Sequence, residues 1–175
     1  MRKLWLGAGV ATLVLAFGVA TVATADRDGR GGSLKAHLSG YSEVPAVSTT
    51  ARGRFRATIE GDQINYTLRF EGLEAPVRFA HIHFAQEDVN GGVAAFLCGG
   101  GGKPDCPQSG EVSGTVTAAD VVGPAEQGIA AGEIDELIAA MRSGNTYANV
   151  HSDKFPSGEI RGQIDGDDDH DGDED

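Results

Sequence analysis

Residues 52–71 read RGRFRATIEGDQINYTLRFE, and the alternation in this stretch decides the fold. Gly53, Phe55, Ala57 and Ile59 alternate with Arg52, Arg54, Arg56 and Thr58. After the Gly61-Asp62 turn, Ile64, Tyr66, Leu68 and Phe70 alternate with Asn65, Thr67, Arg69 and Glu71. A strand sends successive side chains to opposite faces, so these two runs predict a β-hairpin with one buried face.

The same period continues on both sides. Leu34–Leu38, Val77–Ala85, Val93–Cys98, Glu111–Thr117, Thr146–His151 and Glu159–Ile164 read as further strands. One segment departs from it. Ile134, Leu137, Ile138 and Met141 recur at three- and four-residue spacing between Gly132 and Gly144, which predicts a short amphipathic helix. Many short strands with Gly and Pro turns, and one helix in a crossover, indicate an all-β protein. The expected architecture is an antiparallel β-sandwich or Greek-key barrel, immunoglobulin- or superoxide-dismutase-like.

The chain ends differ in composition from this region. Arg2 and Lys3 precede an apolar run from Leu4 to Ala20, and Ala23-Thr24-Ala25 offers small residues where a signal peptidase reads. Residues 1–25 therefore predict a secretory signal peptide, 26–32 a flexible leader, 33–164 the domain, and 165–175 a disordered acidic tail. Uncleaved, the uncharged stretch Leu4–Ala25 is long enough to anchor the protein in a bilayer, the one way a membrane becomes its partner. The formal net charge is −12, which excludes a phosphate backbone as a natural partner and makes nucleic acid binding unexpected. The tail contains Asp167-Asp-Asp-His-Asp-Gly, the opening of a calcium loop, but the chain ends before that loop's twelfth position. A solvated tail is the reading there.

Cys98 and Cys106 bracket the run CGGGGKPDC. In an oxidising compartment two closely spaced cysteines read as a disulfide, which would contribute about 2–3 kcal/mol by closing so short a loop. A thiolate metal pair is the alternative, although the spacing is far from the usual C-x(2–4)-C.

The chemistry-bearing residues fall on three strands. Phe79, His81 and His83 share one face, opposite Ala80, Ile82 and Phe84; Tyr147, Asn149 and His151 share another, opposite Ala148 and Val150. Burying the aliphatic sets turns these polar sets outward. If the strands are adjacent, His81, His83, His151, Glu159 and Arg161 form one patch. His-x-His on a strand sets two imidazoles on one side at roughly 7 Å, within reach of one metal ion with a third ligand. His151 is the natural third ligand and Glu159 the natural orienting partner, for copper or zinc on the outer sheet face. The plainer reading is a set of partly exposed histidines hydrogen-bonded to Glu159, Asn149 or backbone carbonyls. His37 stands alone on an edge-like strand and reads as structural or solvent-facing.

SGYSEVPA (39–46), FAHIHF (79–84), GVAAFLC (92–98), GNTYANVH (144–151) and FPSGEIRGQI (155–164) together resemble the CHRD domain, from about Leu34 to Ile164. This family is named for repeats in the animal protein chordin and is also found in bacterial secreted proteins. The resemblance implies a secreted β-sandwich and supplies no catalytic residues. A weaker likeness is to copper-zinc superoxide dismutases, which place His-x-His on a barrel strand with a later histidine. Here no histidine lies between His83 and His151, so the bridging and zinc-loop ligands of those enzymes are missing and dismutase activity is not expected. No G-x-S-x-G elbow or similar nucleophile–base arrangement appears. The first expectation is thus a non-enzymatic extracellular module that binds a protein or surface polymer. The second is a copper- or zinc-binding protein using His81, His83 and His151.

Overall fold

A computed structural model describes residues 32–166. The segment read as a signal peptide, the leader up to Gly31 and the tail from Asp167 lie outside the described residues. Among the described residues eight strands are present: β1 (Ser33–Ser39), β2 (Arg52–Glu60), β3 (Gln63–Glu71), β4 (Val77–Phe84), β5 (Gly92–Cys98), β6 (Gly110–Val116), β7 (Thr146–Ser152) and β8 (Ile160–Gly166). One α-helix, α1 (Ile134–Arg142), lies in the connection from β6 to β7.

The hairpin forms in the register its alternation demands, with Phe55 opposite Leu68, Ala57 opposite Tyr66 and Ile59 opposite Ile64. Those inward residues are all buried, whereas Arg52, Arg54, Arg56 and Arg69 are exposed. Gly61 closes the turn with φ +61°, a left-handed conformation that glycine adopts without steric cost.

All strand pairs are antiparallel, in the spatial order β5-β4-β7-β8-β1-β2-β3-β6. The sheet curls until its two ends nearly meet. There the Tyr66 hydroxyl on β3 donates to the Leu97 carbonyl on β5 at 2.7 Å. The expected all-β barrel is thus observed as a nearly closed eight-stranded sheet. Its interior holds Phe55, Ile64, Leu68, Ile82, Leu97, Val150, Ile160 and Ile164, each worth about 1.5–3 kcal/mol on burial. Helix α1 adds Leu137 and Met141 to this core. The cysteines form a disulfide, Cys98–Cys106, that fastens the end of β5 to the glycine-rich loop after it.

Two sequence expectations need correction. Asp165 and Gly166 belong to the sheet rather than the tail, because they continue β8 opposite Lys35 and Leu34 of β1. His37 is exposed, but β1 is no edge strand; it lies between β8 and β2.

The β8–β1 contact depends on a missing side chain. A Cβ at Gly162 would stand 2.3 Å from the His37 carbonyl oxygen, so the two backbones approach more closely than any other residue permits. Gly162→Ala should therefore cost about 1–3 kcal/mol, the usual range for overpacking. Urea denaturation measures it, and an unchanged midpoint would contradict the close approach.

Candidate metal centre

β4 and β7 pair so that Phe79 faces His151, His81 faces Asn149 and His83 faces Tyr147. Side chains directly opposite or diagonal in an antiparallel pair are within contact distance, so this register brings His81 diagonal to His151, with His83 two residues along the same face of β4. The ring centroids are 4.8 Å apart for His81–His151, 5.3 Å for His81–His83 and 5.9 Å for His83–His151. One ligand nitrogen from each lies within 4.8 Å of the others. Irregularities in the β4–β5 pairing fall at Ala80/His81 and Ile82/His83, where a bulge can re-aim a side chain.

The three histidines do not face solvent as the alternation suggested. His81, His83 and His151 are 6%, 8% and 7% exposed, and Asn149 and Arg161 are each 2% exposed. They do lie on the face opposite the aliphatic core, but loops cover that face. Arg161 holds one of them. Its guanidinium donates to the carbonyls of Val89 and Gln86 and to Asn90 Oδ1, and it stacks 3.5 Å above the Tyr147 ring. Tyr147 in turn stacks on His83, nearly parallel, at 4.7 Å. From the other side Glu43 accepts from the Asn149 amide at 2.6 Å. Phe96 packs edge-on against His81 at 4.5 Å, with Phe79 stacked beside it.

Backbone carbonyls fix two of the rings. His83 Nδ1 is 3.1 Å from the Gly91 oxygen, and His151 Nδ1 is 3.0 Å from the Pro156 oxygen. A carbonyl can only accept, so both Nδ1 atoms carry the proton and both Nε2 atoms present lone pairs. His81 Nδ1 lies 3.1 Å from His151 Nε2 and donates to it in the neutral cluster. This leaves Nε2 of His81 and of His83 buried with no hydrogen-bond partner. Buried polar groups are ordinarily satisfied, so two orphaned acceptors in one cluster require an explanation.

Burial governs the protonation of the site. It pushes His81 down to about 3, helped by the neighbouring charges of His151 and His83. It pushes His83 down to about 4 against the opposing effect of the Gly91 carbonyl. His151 is lowered by burial as well. Glu43 goes the other way, raised by burial to about 7 although Asn149 and Arg161 favour its ionised form. The three imidazoles are therefore neutral at physiological pH, the form in which histidine binds metals.

Glu159 does not orient a histidine. Its carboxylate accepts from Thr49 Oγ1 and the Glu74 N–H at 3.0 Å each and from Ser152 Oγ at 2.5 Å. Glu159 lies in the bend that precedes β8, outside the strand alternation, and its carboxylate is bonded to Ser152 of β7 rather than to His151. The carbonyls of Gly91 and Pro156 make the contacts expected of that carboxylate. No periodicity in the sequence points to them, since any residue has a carbonyl. Tyr147 and Arg161 were legible as members of the polar face. Their stacking was not, nor was the inclusion of Glu43 or Phe96.

Comparison with known proteins matches one family model, the CHRD domain, over residues 34–164. No curated protein and no solved structure matches the chain. The matched region holds all eight strands apart from a residue or two at the outer ends of β1 and β8, and it contains all three clustered histidines. The chain belongs to the CHRD domain family.

Proposed function

We propose that this chain is an exported CHRD-domain protein that holds one copper or zinc ion, without catalysis, on His81, His83 and His151. The observation that carries this reading is the pair of buried Nε2 atoms without hydrogen-bond partners, beside a third imidazole nitrogen. A bound cation would satisfy all three lone pairs. The 3.1 Å contact within the cluster runs from His81 Nδ1 to His151 Nε2, so His81 would reach a shared ion through Nε2 only by turning its ring out of that contact. Nitrogens bound to a tetrahedral ion at about 2.0–2.1 Å are about 3.3 Å apart, so binding would also draw the more distant ligand inward from the 4.8 Å spread of the metal-free cluster. Nδ1–H groups donated to carbonyls, as at His83 and His151, are the usual support for ligating histidines. Imidazole donors suit zinc and copper, whereas calcium and magnesium take oxygen ligands.

Export is supported by the basic and apolar N-terminus, by the disulfide and by family membership. Family membership also favours the reading of a non-enzymatic module for an extracellular protein or surface polymer. The two readings are compatible, because the histidine cluster is buried and a partner would meet a different surface.

Three outcomes follow for the full chain. Saturating zinc at 100 times its Kd should raise stability by about 2.7 kcal/mol, with one ion per chain by elemental analysis. No stoichiometric metal and an unchanged melting temperature with either zinc or copper would refute the site. His83→Ala and His151→Ala should each weaken binding at least about 100-fold, exceeding the 10–100-fold typical of losing a ligand's supporting contact.

The metal-free protein should also lose stability on acidification. Unfolded histidines take up protons near 6.5, but folded His83 and His81 resist until about 4 and 3. Below 6.5 the unfolded state thus binds more protons, and stability falls with pH toward 4. Glu43 opposes this, because its raised value makes the folded state bind the extra proton between 4.5 and about 7. The histidines outnumber it. Urea midpoints from pH 7 to pH 4.5 should decline, and a flat or rising series would contradict the buried neutral cluster.

A further inference from the structure

Arginines crowd the outer face of β2 and β3. Arg52, Arg54 and Arg56 on β2 and Arg69 on β3 alternate with the buried Phe55, Ala57, Leu68 and Phe70, so all four point away from the core. The register sets Arg54 directly opposite Arg69 on one side and His37 on the other. Like charges opposite one another destabilise a sheet, so this arrangement works against the fold. Glu71 pairs with Arg52 and Glu111 with Arg69, which fixes two of the guanidinium groups. Among the described residues, neither Arg54 nor Arg56 has a carboxylate at ion-pair distance.

The surface here is concave. His37, Arg52, Arg54, Arg69, Glu71 and Glu111 line a cleft of about 830 Å³. With Arg56 beside it, four arginines face two glutamates, a local excess of cations in a chain of net charge −12. Alternation spaces Arg52, Arg54 and Arg56 about 6.6 Å apart along β2, and the neighbouring strand lies about 5 Å to the side. Such an array suits a chain carrying anionic groups at intervals better than a single anion, because each further contact is made within one complex. Single-stranded nucleic acid would call for aromatic rings on which bases stack. An anionic membrane would call for apolar side chains to insert beside the charges. The exposed large hydrophobic residues among those described, Tyr41, Val89 and Val122, all lie outside this cleft.

We propose that this cleft binds an acidic polysaccharide, its carboxylate or sulfate groups seated against Arg54 and Arg56 with Arg52 and Arg69 at the flanks. The guanidinium fork donates two parallel N–H bonds to either group and stays charged at any physiological pH. The proposal rests on the reading of a module for a surface polymer, not on the histidine cluster, and gives that reading a face and a ligand chemistry.

Binding of the full chain to immobilised polygalacturonate and dextran sulfate, with neutral dextran as the blank, tests this. At about 0.05 M salt the chain should bind at least one charged polymer, and affinity should fall steadily as salt rises. The tighter of the two distinguishes a carboxylate from a sulfate ligand. Arg54→Thr/Arg56→Thr should weaken binding at least about tenfold, as expected for two lost charge contacts. Its urea midpoint should be no lower than that of the unchanged chain, since opposed like charges are relieved. Arg142→Gln, which removes an exposed cation from α1, should leave binding unchanged, and so should His83→Ala at the histidine cluster. Binding to neither charged polymer would overturn the proposal and the polymer reading together. Binding that survives the double substitution, or that Arg142→Gln weakens equally, would overturn this face alone. Tighter binding to single-stranded DNA than to both polysaccharides would overturn the assigned ligand. A lowered urea midpoint would assign the two arginines to the fold and overturn the proposal as well.

Discussion

Burying a row of imidazoles is costly unless every ring nitrogen has a use, and the cost here is imposed by the pairing of β4 with β7. That register places Ala80, Ile82, Ala148 and Val150 in the barrel interior. Strand alternation then leaves His81, His83, Asn149 and His151 no alternative to the opposite face. A polar face on a barrel exterior is ordinarily left in water. In this chain loops close over it, and the rest of the local structure answers the resulting demand for hydrogen bonds.

The answer is a layered one. Arg161 reaches from β8 to the carbonyls of Val89 and Gln86 and so holds the segment that brings the Gly91 carbonyl to His83. Its charge sits over Tyr147, with Glu43 among the groups that offset it electrostatically. The turn after β7 supplies the Pro156 carbonyl to His151. Glu159 ties together that turn, the loop at Thr49 and the loop at Glu74. Each of these contacts fixes a ring or a loop. None reaches the free Nε2 atoms of His81 and His83, which is why a cation is the economical completion of the cluster.

The barrel was largely legible in the sequence because its period-two runs are long and interrupted by unambiguous turns. The hairpin Arg52–Glu71 and helix α1 each appeared within a residue or two of their expected bounds. The members of the histidine cluster were legible as residues of shared faces, since alternation fixes faces and the short turn from His151 to Glu159 fixes the pairing of β7 with β8. Their meeting was not, because it depends on β4 lying beside β7, and no local pattern in the sequence sets that adjacency. Nor was depth. Whether a polar face is wet depends on loops such as 40–49 and 86–91, whose paths follow from tertiary contacts rather than from local pattern. Glu159 illustrates the limit. Its place in the sequence suggested the histidine side, but it lies in the bend before β8, where strand alternation does not hold, and bonds Thr49, Glu74 and Ser152 instead.

X-ray absorption at the zinc edge of the metal-loaded full chain addresses the central claim most directly, because the acidic C-terminus offers a competing oxygen-rich site. A His-based centre predicts nitrogen scatterers at about 2.0–2.1 Å with the outer-shell features of three imidazole rings. A shell made of oxygen alone, without imidazole scattering, would place the ion on carboxylates and contradict the account.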